Sequence, residues 1–509
     1  MINVNYFLIF YVLVFSIISG GGADYLDYYK WSDYFSNYDL NIFEDYNKSE
    51  NGLPLSSWYY GSGILSALIN ELLFINGKIT IKINSILITC FNIILLNKIL
   101  EKKKYYGLEN FALICLFFFI FPAGFYINKF SSESWTILFS LLAIYYIETK
   151  KNNGDYISSV LIGIFLYFLV LIKPSNIFLC ISLIAIFYFK YHNSIKIKNI
   201  LSKKFIPYSI IILLTLLSIF LILNYQKILL GNYFSNFYSF GNDDFESFSL
   251  QNLKLYEVIF STWHGLLFYH PVYLILNLYF MYLFFNKNLN NKIRYLILIN
   301  FALFLSQIFI QSSHATWWMG TGTYGARGFA GVSIITFYLL ISFPKRLNTL
   351  KFDKVLTLTF FLFLTWHTYL LTLGVTNFVN LNAFVIKLTS SHSIGLLLKI
   401  ILSIVILFFL KNYLKKNNIN LIQISLIILS FFIILDETFS LYKTNSFLII
   451  IGLIILSYLF FFLLNKFDKV NILLKKYVYK LISFIFILSF LTSFIFQFKL
   501  FNNFNLHKN

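Results

Sequence analysis

Apolar runs of roughly 17–22 residues follow one another along the chain, separated by short polar segments. At about 1.5 Å per residue each can cross a ~30 Å hydrocarbon layer as a helix. The runs fall near 5–19, 79–98, 108–122, 132–148, 156–172, 174–190, 206–224, 270–286, 294–311, 327–343, 355–373, 394–410, 420–435, 446–464 and 480–498. They predict an all-α polytopic membrane protein of about 13–15 transmembrane helices. Basic clusters occupy every second loop: Lys102 to Lys104, Lys150-Lys151, Lys190 to Lys204, Lys287 to Arg294, Lys345 to Lys354, Lys411 to Lys416 and Lys466 to Lys480. Loops of that kind stay on the cytoplasmic side. The outside loops are then 20–78, 123–131, a tight turn at Lys173-Pro174-Ser175, 225–269, 312–326, 374–393 and 436–445. Tyr6 to Ser19 lacks a basic leader and reads as a retained first span with its N-terminus inside. Within loop 20–78, Asn51-Gly52-Leu53-Pro54 marks a turn, and the stretch Ile64 to Phe74 is too short to span, so it reads as an interfacial helix.

Composition agrees with the pattern. A chain of 509 residues that is 59% hydrophobic and 12% charged has too little polar surface to cover a water-soluble core. The formal net charge of +19 is accounted for by the basic inside loops. A nucleic-acid partner is not expected, since no soluble module is present to carry a basic, base-stacking face. Cys90, Cys115 and Cys180 all sit inside apolar runs without paired spacing and read as small core residues.

Candidate chemistry concentrates outside. The segment Gly20 to Tyr60 holds seven acidic residues among many Tyr and Trp, directly after the first span. Asp24 and Asp27 are three apart and share a face if the segment is helical. Two close carboxylates at a membrane surface can divide labour, one kept as a base and the other holding a hydroxyl or a metal. Asp24 is the stronger candidate, because a charge at the lip of a helix bundle is costly to keep. Arg327 is the arginine placed outside, between Gly325 and Gly328; its planar fork suits a phosphate, and a snorkelling anchor is the alternative. Lys173 is either a turn charge or a second phosphate contact. His264 and His314 are hydrogen-bonded wall residues or substrate contacts. Trp317, Trp318 and Tyr59 form an interfacial belt or stack on sugar. Oxygen ligands would suit Mg or Mn, although no motif spacing demands a metal.

Several segments, taken in order, resemble the GT-C glycosyltransferases, integral-membrane enzymes that take sugars from polyprenyl-phosphate carriers. They are the acid after span one, the turn through Pro54 into Tyr59-Tyr60-Gly61, and Glu133 opening a span in Asn128-Lys129-Phe130-Ser131-Ser132-Glu133. Two more follow: His264-Gly265-Leu266-Leu267-Phe268-Tyr269-His270-Pro271, and Trp317-Trp318-Met319-Gly320-Thr321-Gly322-Thr323-Tyr324-Gly325-Ala326-Arg327. Met319 stands where that family has Gly, and Ala326 where Pro is usual. The resemblance covers 1–345 as a catalytic membrane module and leaves 346–509 unassigned. It implies an inverting hexosyl- or pentosyltransferase of a dolichyl-phosphate-mannose mannosyltransferase-like kind, in a bacterial inner membrane with an extracytoplasmic site. Asp24 would be the base, Glu133 and Asp27 would orient the acceptor or hold a metal, and Arg327 would hold the carrier phosphate. The partners would be a polyprenyl-phosphate sugar, a lipid, glycan or protein acceptor, and membrane lipids, with no cofactor required.

Two other classes are open: a transporter or flippase for lipid-linked sugars, and an O-antigen polymerase or ligase. The first predicts ionisable residues in mid-span and broken helices in inverted halves; Lys399 is the clear mid-span case. The second predicts a large basic outside loop late in the chain. Reporter fusions test the topology: fusions after Lys104 and Lys151 are expected to report the inside, and fusions after Glu50 and Asp244 the outside. One side for all four would overturn the alternation.

Overall fold

The computed structural model describes residues 25–37, 60–73, 79–106, 110, 113–114, 117, 121–123, 131–149, 156–191, 206–230, 253–261, 265–270, 272–285, 289–313 and 327–343. These residues are helical and contain no strand. The order is α1 (Tyr25–Asn37), α2 (Gly61–Leu73), α3 (Ile79–Lys102), α4 (Ser132–Thr149), α5 (Tyr156–Ile172), a 3-10 turn (Pro174–Asn176), α6 (Ile177–Tyr191) and α7 (Ile206–Leu230). Then come α8 (Leu255–Phe260), α9 (Leu266–Tyr269), α10 (Val272–Phe284), α11 (Asn291–Ser312), a second 3-10 turn (Arg327–Phe329) and α12 (Ala330–Ser342). Among the described residues, Ile83–Lys102, Ile206–Lys227 and Asn291–Ser312 are long and apolar enough to cross a membrane, and Tyr156–Ile172, Pro174–Lys190 and Arg327–Ser342 are shorter apolar helices. The expected spans at 5–19 and from 355 onward lie outside the described residues, as does 346–509.

The chain divides into two compact units, Met1–Val258 with Tyr279–Ser342, and Ile259–Leu278 with Phe343–Asn509. In the first unit α4 is a central post, packed against α3, α5, α6 and α12. Lipid supplies little hydrophobic drive for helices to associate, so small residues and internally satisfied hydroxyls carry the packing. Gly163 of α5 shows this. A Cβ there would lie 2.6 Å from Leu214 Cδ1 and 3.3 Å from the Ile211 Cα of α7, so glycine lets the two helices approach closely. Buried hydroxyls bond back along their own helices: Thr89 donates to the Ser85 carbonyl at 2.6 Å, Ser140 to Thr136 at 2.7 Å and Ser333 to Phe329 at 2.9 Å.

The first outside loop contains two helices, as the interfacial reading expects, although α2 starts at Gly61, three residues before the predicted Ile64. Trp31 of α1 is buried against α2, where a Cβ on Gly63 would meet the Trp31 Cβ at 2.3 Å. A polar chain ties both helices to α3: Asn84 donates to Asn70 at 3.1 Å, and Asn70 to Ser32 at 2.9 Å. At the head of α2, a Cβ on Gly61 would lie 2.4 Å from the Leu171 carbonyl, so α2 rests directly on the end of α5.

The span predicted at 270–286 is met by α10, and a short helix, α9, precedes it within the predicted loop 225–269. Helix α9 stops at Tyr269 and α10 starts at Val272, with His270 between them at φ −133° and ψ 61°. Pro271 explains the break, because it lacks an N–H and disfavours helical geometry in the residue before it.

Gly61→Ala is expected to destabilise the purified protein by about 1–3 kcal/mol, since the new methyl meets backbone and not a movable side chain. Thermal unfolding in detergent checks this, and an unchanged midpoint would mean that α2 moves aside without cost.

Candidate functional site

Three of the residues singled out from the sequence meet in the first unit. Glu133 sits in the first turn of α4, Arg327 opens the 3-10 turn before α12, and Lys173 occupies the junction between α5 and the 3-10 turn Pro174–Asn176. Arg327 grips the carboxylate along one edge of its guanidinium: Nη2 donates to Glu133 Oε2 at 2.9 Å, and Nε lies 2.8 Å from Oε1. Lys173 Nζ is 3.7 Å from the same Oε1. The side chains of Glu133 and Arg327 are 5% and 6% exposed, whereas Lys173 keeps 21%. The pair is therefore buried and the lysine reaches it from a more open side.

Local sequence explains each placement. An acid in a helix's first turn is favoured by the dipole and by unsatisfied N–H groups there. Ser134 reinforces the start of α4, its hydroxyl donating to the Ser131 carbonyl at 2.7 Å. Pro174 ends α5 and holds Lys173 extended, at φ −158° and ψ 115°. Asn176 then pins the turn, donating to Thr136 Oγ1 of α4 at 3.0 Å and to the Leu169 carbonyl at 2.9 Å. On the other side Gly328 admits two glutamines of α11. A Cβ there would lie 2.7 Å from Gln311 Oε1 and 2.8 Å from Gln307 Nε2.

Among the described residues one carboxylate faces two cations in an apolar, largely water-excluded place. Such an arrangement favours an anion. Arg327 Nη2 donates to Oε2 of that carboxylate, while Oε1 lies at ion-pair distance from Arg327 Nε and Lys173 Nζ. No group of three metal-ligating side chains occurs among the described residues.

The aromatic lip of the site is partly described. Tyr60 lies against Tyr225 with ring centroids 4.5 Å apart, and Trp31 lies near both. Burial, with a smaller contribution from Tyr167, pushes the Tyr60 phenol up to about 12. It stays a neutral hydrogen-bonding group at any physiological pH.

Asp27 lies in the first turn of α1, as the helical reading of that segment expects. Asp24, Tyr59, His264, His314, Trp317 and Trp318 lie outside the described residues. Sequence reasoning missed Asn176, Gln307 and Gln311 around the triad. Gln307 and Gln311 are four apart in an apolar helix, a spacing that marks one buried polar face. It also missed Glu148, at the far end of α4, which is bonded by Lys103, Lys190 and Tyr338.

The described residues define a helical protein with membrane-spanning segments and a buried, net-positive Glu-Arg-Lys cluster. No protein-family profile matches the sequence, and no curated protein matches it. Among solved structures the chain is similar to ArnT from Cupriavidus metallidurans, crystallised with undecaprenyl phosphate bound, at 10% sequence identity and a TM-score of 0.42 over 84% of this chain and 74% of that one. A likeness of that order leaves the function to be argued from the site's own residues.

A double-mutant cycle tests the pairing. Arg327→Gln leaves a buried carboxylate without its main partner and is expected to cost about 3–5 kcal/mol. Glu133→Gln combined with Arg327→Gln is expected to be clearly milder than the sum of the single changes, as measured by thermal unfolding. Additive losses would show that the two charges do not depend on each other.

Proposed function

We propose that this chain is a GT-C-type glycosyltransferase that moves a sugar from a polyprenyl-phosphate carrier to an acceptor hydroxyl at the extracytoplasmic membrane face, inverting the anomeric centre. The observation that carries the reading is the meeting of Glu133, Arg327 and Lys173, three positions drawn from separate segments, in one cluster of two cations and a buried carboxylate.

In this reading the acceptor oxygen attacks the anomeric carbon while the bond from that carbon to the phosphate oxygen breaks. The electron pair leaves with the phosphate, and the acceptor proton passes to the Asp24 carboxylate. The carrier begins as a singly charged phosphodiester and departs as a more highly charged monoester, so charge develops on the phosphate during the step. Arg327 and Lys173 are suited to stabilise that charge, having been oriented before the reaction. Glu133 is a positioning residue: by holding the Nε–Nη2 edge of Arg327 it fixes where the opposite edge of the planar guanidinium points. It also tempers the excess charge, which favours release of the product phosphate. Asp27 and the aromatic lip around Tyr60 would line the acceptor side. Bacterial inner-membrane location, the identity of the sugar and the choice among lipid, glycan or protein acceptor belong to the same proposal.

The test is incorporation of labelled sugar from a polyprenyl-phosphate donor into membranes carrying the protein. Asp24→Asn is expected to lower incorporation by roughly 10²–10⁴-fold. The neutral pair Glu133→Gln with Arg327→Gln is expected to keep the fold but lose about 10²–10³-fold. Wild-type levels in both would remove the proposed machinery. Donor crossing the bilayer intact without transfer would assign the chain to the carriers instead.

A further inference from the structure

The inner end of α4 holds a second charged cluster that the proposed transfer does not use, about 22 Å along the helix from Glu133 if α4 rises evenly. Glu148 lies there, with Lys103 Nζ 2.9 Å from Oε1 and Lys190 Nζ 3.5 Å from Oε2. The Tyr338 hydroxyl of α12 donates to the same carboxylate, and Lys103 also stands over the Tyr338 ring, 4.6 Å from its centroid. A third lysine joins from the start of α11: Lys292 Nζ donates to the Lys190 carbonyl at 2.9 Å, while Lys190 itself donates to the Ile147 carbonyl.

Carbonyl partners give these ammonium groups hydrogen bonds but carry no net charge. Among the described residues the cluster sets Lys103, Lys190 and Lys292 against the one carboxylate of Glu148. The ends of α3, α4 and α6 offer negative dipole ends, but the start of α11 brings a positive one, so helix dipoles only partly offset the excess. Lys103 and Lys190 keep 19% and 25% of their side chains exposed, so a ligand can reach them. Basic loops place this end at the cytoplasmic surface, where anionic headgroups concentrate and basic pockets between helices take them up.

We propose that the inner end of α4 is a binding site for the phosphate of an anionic phospholipid headgroup, held by Lys103, Lys190 and Lys292 around Glu148. An ammonium serves as a point-charge partner for phosphate, and two of them flank Glu148 while a third reaches the Lys190 backbone from the start of α11. Glu148 keeps the lysines converged when the lipid is absent and competes with it when it is present. The site does not depend on the transferase reading, and its test measures binding alone.

The full-length protein, purified in a neutral detergent and stripped of lipid, is titrated with phosphatidylglycerol, with phosphatidylcholine and with inorganic phosphate, and binding is read by native mass spectrometry and thermal shift. Phosphatidylglycerol is expected to bind and stabilise in preference to the other two. Lys292→Gln, at the start of α11, whose native side chain donates to the Lys190 carbonyl at the end of α6, is expected to weaken that binding roughly fivefold. Glu148→Gln is expected to strengthen it, because it releases two lysines. A purely structural ion-pair cluster would not give opposite signs for these two variants, so changes in the same direction overturn the proposal. Equal binding of phosphatidylglycerol and phosphatidylcholine overturns it too, and inorganic phosphate matching the lipid would assign the site to the free ion.

Discussion

A carboxylate and a guanidinium can share an apolar interior only as a pair, and the bond between Glu133 and Arg327 imposes that condition on the surrounding fold. Either charge left alone there would be strongly destabilising. The start of α4 and the entry to α12 must therefore stay in register, and the Lys173 turn is drawn to the same point. At the opposite end of the same helix, Glu148 does the equivalent for the ends of α3 and α6 and for α12. Helix α4 is thus fixed at both ends by charge, while its middle buries large apolar side chains such as Ile137, Phe139, Leu141 and Ile144.

That division of labour suits a membrane environment. Lipid tails are as apolar as leucine, so burial of apolar surface does little to choose one helix arrangement over another. Selection falls to contacts that tolerate few alternatives. Gly163 admits α7 to α5, Gly61 sets α2 on the end of α5, and Gly328 lets the amides of Gln307 and Gln311 close on the arginine turn. The last two bear on the site directly. One places the first outside loop two residues from Lys173, and the other fills the space beside Arg327 with polar groups. A phosphate-bearing ligand at this cluster would meet charge that is already oriented, and little reorganisation would be needed as negative charge develops.

The cluster at the end of α4 contrasts with the one at its start. At the start, an arginine holds the carboxylate and a lysine stands 3.7 Å away. At the end, two lysines and the Tyr338 hydroxyl hold it, and an ammonium can rotate and exchange partners. The first arrangement suits fixed geometry for chemistry, and the second suits reversible contact with a mobile headgroup.

Much of the fold was legible in the chain alone. Runs at 132–148, 156–172, 206–224 and 294–311 became α4, α5, α7 and α11 with ends shifted by a few residues, because span length and loop charge are set by bilayer thickness and by the sidedness of basic residues. The three charged positions stood out for separate reasons: Glu133 through the resemblance to a GT-C segment, Arg327 as an outside arginine between glycines, and Lys173 as a charge beside Pro174 between two apolar runs. What no pattern along the chain could decide was the partnership of Glu133 and Arg327 across 194 residues, or the grouping of Glu148 with Lys103, Lys190 and Tyr338. A carboxylate that ends a span reads the same in sequence whether it faces water or closes an ion pair. Only the packing of helices, which brings distant ends within 3 to 4 Å of one another, separates the two cases.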